Sequence, residues 1–228
     1  DRKMMAESGE ARPSQGDAIS TSSYVDCGKL LPGFEFSILD DNGVEMENRH
    51  CGHIHLKGPS VMRGYFHDEE STSEVLSEDG WLNTGDIGYR IDNHLVITSR
   101  SKDVIIIKGR NIWPYDLEVL AQQTGGVKLG GVAAFSVSLD GNEEQAVLVV
   151  ETKEKDADNR LHIIEDISQS IHAHFGINVQ IDLTPRGTLP RTSSGKLSRS
   201  QSKQDYLARK TLQDVEQSAA RVDEKLTA

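Results

Sequence analysis

Cysteine is scarce in this 228-residue chain, and aromatic residues and proline are few. The two cysteines, Cys27 and Cys51, stand outside any C-x-x-C pair, so neither a disulfide framework nor a thiol-rich metal site is implied. No apolar run approaches the ~18–20 residues that cross a bilayer as a helix. No leader peptide with basic, apolar and small-residue regions is visible. Basic charge is in the minority, with 25 Lys and Arg against 36 Asp and Glu and a net charge of −11. That argues against a nucleic-acid partner, which needs clustered basic residues to neutralise phosphates. The expectation is a cytoplasmic, reducing setting with no transmembrane segment. The chain opens on Asp1 rather than Met, and the reading is of a fragment of a longer protein.

What is present is an ordinary globular composition, 36% hydrophobic and 27% charged, with enough apolar residues for a core. Residues 1–22 are polar and rich in Ser, Gly and acids, and are expected to be a loop or a disordered end. Short strand signals follow at 34–39, 53–57, 60–65 and 94–98, bounded by turn residues such as Pro32-Gly33, Gly58-Pro59 and Asp92-Asn93. Closely spaced short strands of this kind predict a small β-barrel or sandwich.

The pattern changes near residue 100. Val104–Ile107 reads as a continuous apolar strand, and Gly109-Arg110-Asn111 as a turn into a second. Pro114 suits the first turn of a helix running to about Gln123. Strands are expected at 132–138, 145–152 and 179–183, with a turn at Asp140–Asn142 between the first two. Apolar positions 161, 163, 164, 167, 171 and 175 have helical spacing. This part reads as α+β. Beyond Ser202 the composition is helical, and Leu212, Val215, Ala219, Val222 and Leu226 make only two heptads, short of the ~3–4 that argue a coiled coil. No internal repeat is found.

Several segments carry chemistry. Asp79-Gly-Trp-Leu-Asn-Thr-Gly-Asp86 ends in a carboxylate, which can accept two hydrogen bonds from a vicinal diol; on its own such a residue is more often a turn Asp. Ser99-Arg100-Ser-Lys102 leads through the apolar strand to Gly109 and Glu118. Pro190-Arg-Thr-Ser-Ser-Gly-Lys196 is a flexible-looking loop ending in an amine. It lies within a basic strip from Arg186 to Lys203 that contains no acid. A lysine so placed can neutralise charge developing at a carboxylate–phosphate centre, where one such contact is typically worth ~10²–10³ in rate. Taken singly, such a residue is more often a solvated loop lysine.

With Gly28–Gly33 and Gly58–Tyr65, these segments make five motifs in order over about residues 23–207. Together they resemble the adenylate-forming superfamily: acyl-CoA synthetases, fatty-acyl-AMP ligases, luciferases and peptide-synthetase adenylation domains. Asn111-Ile-Trp-Pro-Tyr-Asp-Leu-Glu118 is similar to the form found in fatty-acyl-AMP ligases and their near acyl-CoA synthetase relatives.

The resemblance implies an α+β fold. A β-barrel-like subdomain at 23–101 would close a large N-terminal domain, a C-terminal lid would cover 102–207, and a terminal helix 208–228. It implies that Asp86 and Arg100 hold the ATP ribose, that Lys102 is the hinge, and that Gly109 lies in the turn approaching the acceptor thiol. It makes Lys196 the catalytic residue of adenylation, with Arg191 and Thr192 shaping the loop. Asp116 and Glu118 read as structural acids in a first helical turn.

The implied cofactors are ATP and Mg2+, held mainly by a phosphate-loop region that this sequence does not contain. The implied partners are ATP or AMP, a fatty or other carboxylic acid, and an acyl carrier protein or coenzyme A. The chain alone is then expected not to adenylate. Two other readings stand beside this one. The first is a non-catalytic module that docks a carrier protein. The second is a metal protein built on His50-Cys-Gly-His-Ile-His55, where His53 replaces the acidic residue usual in the family and no second ligand cluster of matching spacing exists.

Overall fold

The computed structural model describes residues 1–16, 20–138 and 144–211. The expected Asp140–Asn142 turn and the heptads beyond residue 211 lie outside them. The chain divides into two compact units, Asp1–Trp113 and Pro114–Ala228.

The first unit opens with helix α1 (Arg2–Ser8), where the sequence suggested only a loop. Asp1 caps it by accepting from the Met4 N–H, and Gly9 ends it in the left-handed region at φ 70°. Met5 is buried in a cluster with Ala11, Tyr89, Val96 and Trp113. Burial of one apolar face is what orders a segment that composition alone left loose.

Five strands form one antiparallel sheet: β1 (Asp26–Lys29), β2 (Glu35–Leu39), β3 (Gly52–Lys57), β4 (Leu82–Ile91) and β5 (His94–Arg100), in the order β1-β5-β4-β3-β2. Among the described residues the expected barrel or sandwich is not formed: the five strands make one open sheet. Closure requires both edges to pair. Here β1 has only four residues and a bulged register against β5, while β2 is bordered by its own turn, where Leu39 bridges Glu45. Ile38 of β2, Ile54 of β3 and Val96 of β5 are buried. The segment 60–65 is not a strand; it leads into helix α2 (Glu69–Val75), whose N-cap Asp68 accepts from the Ser71 N–H at 3.0 Å.

A single 3-10 turn (Ser101–Asp103) leads from β5 to the hairpin of β6 (Ile105–Ile107) and β7 (Arg110–Ile112). Its two-residue loop, Lys108-Gly109, has φ 52° and 73°. Positive φ at both positions is the combination that matches the twist of paired strands.

The second unit is α+β, as expected. Helix α3 (Pro114–Ala121) precedes β8 (Val127–Ser138) and β9 (Glu144–Thr152); helix α4 (Ala157–Phe175) then returns the chain to β10 (Val179–Pro185). The sheet order is β10-β9-β8, with β9 parallel to β10 and antiparallel to β8. Strand β9 is buried from Ala146 to Thr152, which explains its unbroken apolar run. Ile163, Ile167, Ile171 and Phe175 form the buried stripe of α4, with Asp156 as N-cap and Gly176 as left-handed C-cap. A cluster of Ala133, Phe135, Val137, Val147, Val149, Leu189 and Tyr206 fills the other side, with Tyr206 supplied by a helix over residues 199–211, α5.

Candidate functional site

In the first unit the expected nucleotide residues come together. Asp86 on β4 and Arg100 on β5 are direct cross-strand partners, and the Arg100 Nε lies 2.9 Å from Asp86 Oδ1. The Thr-Gly-Asp sequence builds this end of β4. Thr84 Oγ1 donates to the Ile54 carbonyl and accepts from the Asp86 N–H, while Gly85, at φ 72°, accepts the left-handed step between them. The Arg100 side chain is 70% exposed and that of Asp86 24%. An ion pair this open contributes only ~0–1 kcal/mol to folding. Its groups are therefore available to a ligand at little cost to stability.

Lys102 is exposed in the 3-10 turn two residues after Arg100. Gly109 occupies the exposed tip of the β6–β7 hairpin, and a Cβ added there would meet nothing within 4 Å. The tip is thus open to a visiting molecule.

Lys196 belongs to the second unit and is exposed. Its loop is a bonded hairpin rather than a slack segment. Arg191 bridges Leu197, the Thr192 N–H donates to the Lys196 carbonyl at 2.8 Å, and Ser198 N–H to the Pro190 carbonyl at 3.0 Å. Gly195 turns the tip at φ 81°. Arg191 donates to the Gly195 carbonyl at 3.1 Å and to the Gly130 carbonyl of β8 at 2.6 Å.

Two buried carboxylates hold the hairpin's flanks. Glu151, 1% exposed, accepts from the Gly187 and Leu189 amides at 2.8 and 3.0 Å and from Lys128 at 2.6 Å. Burial pushes its carboxyl up, but the Lys128 and amide hydrogen bonds together outweigh this and hold it below the usual carboxylate value. Glu118 receives a two-pronged contact from Arg199 at 2.7 and 2.8 Å, and the Ala134 N–H at 3.1 Å. The sequence suggested a helix-dipole role for Glu118. Its bond to a residue 81 positions away has no local signature. Asp116 is likewise buried in α3.

The His50–His55 cluster is spread among other tasks. His53 bonds Asp41 at 2.9 Å, and His50 contacts the Asn48 carbonyl. Burial, aided by neighbouring His53, pushes the His55 pKa down. Burial pushes the Cys51 thiol up to about 12, leaving it protonated at neutral pH. Among the described residues no group of three His, Cys, Asp or Glu side chains is placed to hold a metal ion.

No protein-family model matches the chain. Individual proteins do. A Caulobacter vibrioides protein named as an acyl-CoA synthetase is 43% identical over 186 residues, 81% of this chain and 32% of that protein. A Mycobacterium leprae protein named as a fatty-acid–CoA ligase is 32% identical over 183 residues, 73% of this chain and 31% of its own length. A structure solved in work on the fatty acyl-adenylate ligases of E. coli and L. pneumophila superposes with a TM-score of 0.80 at 36% identity. That match covers 92% of this chain and 37% of the other.

The fold and motif order are therefore those of adenylate-forming enzymes. Over some four fifths of its length the chain is homologous to the acyl-CoA synthetases and fatty-acyl-AMP ligases of the AMP-binding superfamily. It spans about a third of the length of the curated relatives it matches. No helix among the described residues is long and apolar enough to cross a membrane.

Proposed function

We propose that this chain serves an ATP-dependent ligase that activates a fatty or related carboxylic acid as its acyl-AMP and passes the acyl group to a thiol. The observation that carries the reading is the cross-strand pair of Asp86 and Arg100. It presents a diol acceptor and a cationic donor side by side, on a strand pair homologous to that of adenylating enzymes. In the first step an acid oxygen attacks the α-phosphorus of Mg-ATP, the bond to the β-phosphate bridging oxygen breaks, and pyrophosphate leaves. Lys196 neutralises the charge that builds on the reacting centre. In the second step a thiolate attacks the acyl carbon and AMP departs. Gly109 lets the acceptor's arm approach the backbone closely. Lys102 is the hinge residue between the two steps.

The sequence carries no Gly/Ser/Thr-rich phosphate loop, so the 228-residue chain by itself is expected to make no acyl-AMP. Mg2+ enters here only as part of the Mg-ATP substrate. The acceptor is the phosphopantetheine of an acyl carrier protein in preference to coenzyme A. The ligase-like form of residues 109–118 and the likeness to fatty acyl-adenylate ligases support this.

The test uses the native polypeptide. Lys196→Ala is expected to lower acyl-AMP formation ~10²-fold or more while leaving acyl transfer from supplied acyl-AMP largely intact. Equal loss in both half-reactions contradicts these roles.

A further inference from the structure

Near its tip, the hairpin that carries Lys196 is tied to the sheet by the Arg191 side chain. The Arg191 guanidinium donates from Nη1 to the Gly195 carbonyl, the residue immediately before Lys196, and from Nη2 to the Gly130 carbonyl, 61 positions away on β8. Gly130 is fixed in turn. Its N–H donates to Gln122 Oε1 just after α3, and the Gln122 side-chain amide donates back to the Glu118 carbonyl at 2.9 Å. Glu118 is the buried acid that receives Arg199. The result is a continuous hydrogen-bonded path from α3 through Gly130 of β8 to the backbone beside Lys196.

Resting on the role of Lys196 argued above, we propose that Arg191 is a positioning residue for adenylation: it sets where the Lys196 amine stands by strapping the hairpin tip to Gly130. Three features favour this over a plain surface arginine. Arg191 is exposed, and among the described residues it has no carboxylate partner, so both contacts are spent on backbone oxygens of the two elements it joins. The planar guanidinium supplies two N–H groups in fixed divergence, which a lysine, with one compact cationic head, does not reproduce. The lower hairpin is already secured by buried Leu189 and by Glu151, so the strap acts on the tip and not on the fold.

Rate is sensitive to such placement, because a ~1 Å displacement of a reacting group can cost ~10²-fold. In the native polypeptide, Arg191→Ala is expected to lower kcat for acyl-AMP formation ~10- to ~10²-fold. The KM for ATP, acyl transfer from supplied acyl-AMP and the melting temperature should stay near wild type. Arg191→Lys should recover only part of the loss. Gln122→Ala, which frees the Gly130 N–H, should shift the same quantity in the same direction by a smaller factor.

Wild-type adenylation in Arg191→Ala, alongside a crippled Lys196→Ala, overturns the strap while leaving the function intact. A matched loss in both half-reactions with a lowered melting temperature overturns it in favour of a general structural role. Undiminished adenylation in Lys196→Ala removes the reading of the lysine itself, and the strap with it.

Discussion

At the scale of single residues, the decisive pair is Asp86 and Arg100. The carboxylate accepts a 2.9 Å contact from the guanidinium and keeps other lone pairs for a ligand diol. Replacing Asp86 with Asn keeps the size but removes the charge and one acceptor. Hydrogen bonds to a charged group are worth about 1.5–3 kcal/mol, so Asp86→Asn in the native polypeptide is expected to weaken ATP binding by roughly ten- to a hundredfold. Calorimetric titration measures this directly, and unchanged affinity would remove Asp86 from the nucleotide site. Folding stability should move little, since the Arg100 side of the pair is 70% exposed. Buried Glu118 and Glu151 are different. Removing one partner of such a pair leaves an uncompensated charge and costs about 3–5 kcal/mol. Substitutions there therefore report on folding before they report on chemistry.

At the scale of elements, the five-stranded sheet depends on two glycines that are tight for a steric reason. A Cβ on Gly88 of β4 would sit 2.3 Å from the Val96 carbonyl oxygen and 2.7 Å from Ile54 Cδ1. On Gly52 of β3 it would lie 2.5 Å from the Leu39 carbonyl oxygen. Neither has the positive φ seen at Gly85 and Gly109, so the constraint is space and not backbone conformation. Gly88 lies beside the register shift that follows Ile87 and so helps set the alignment of Asp86 with Arg100. Gly88→Ala is expected to destabilise the protein by about 1–3 kcal/mol, read from urea denaturation. A midpoint that does not fall would show that β4 shifts freely.

At the scale of the whole molecule, each compact unit holds a different part of the proposed chemistry. The first carries Asp86, Arg100, Lys102 and Gly109; the second carries Lys196 and its strap. The proposed acceptor is tested at this scale. A thioester assay on the native polypeptide, offering a phosphopantetheinylated carrier protein and coenzyme A in parallel, should favour the carrier protein. Faster transfer to coenzyme A reverses that assignment without touching the acyl-AMP step.

The amino-acid sequence by itself determined the motif order, the candidate residues and most elements of the second unit. The α4 stripe from Ile163 to Phe175, the apolar run of β9 and the helix-starting Pro114 are local patterns of period and capping. A linear reading captures such patterns because each depends on neighbours within a few positions. It missed helix α1, which buries Met5 against distant Tyr89 and Val96, and it expected a small barrel or sandwich where a single open sheet has β1 and β2 as its edges. It gave Glu118 a helix-dipole role and left Arg191 as a loop-shaper without a partner. Only the tertiary structure decided that Glu118 meets Arg199, that Arg191 meets Gly130, and that Asp86 faces Arg100 in register. Those pairings follow from how strands align and which faces are buried, and both are set by contacts between residues far apart in the chain.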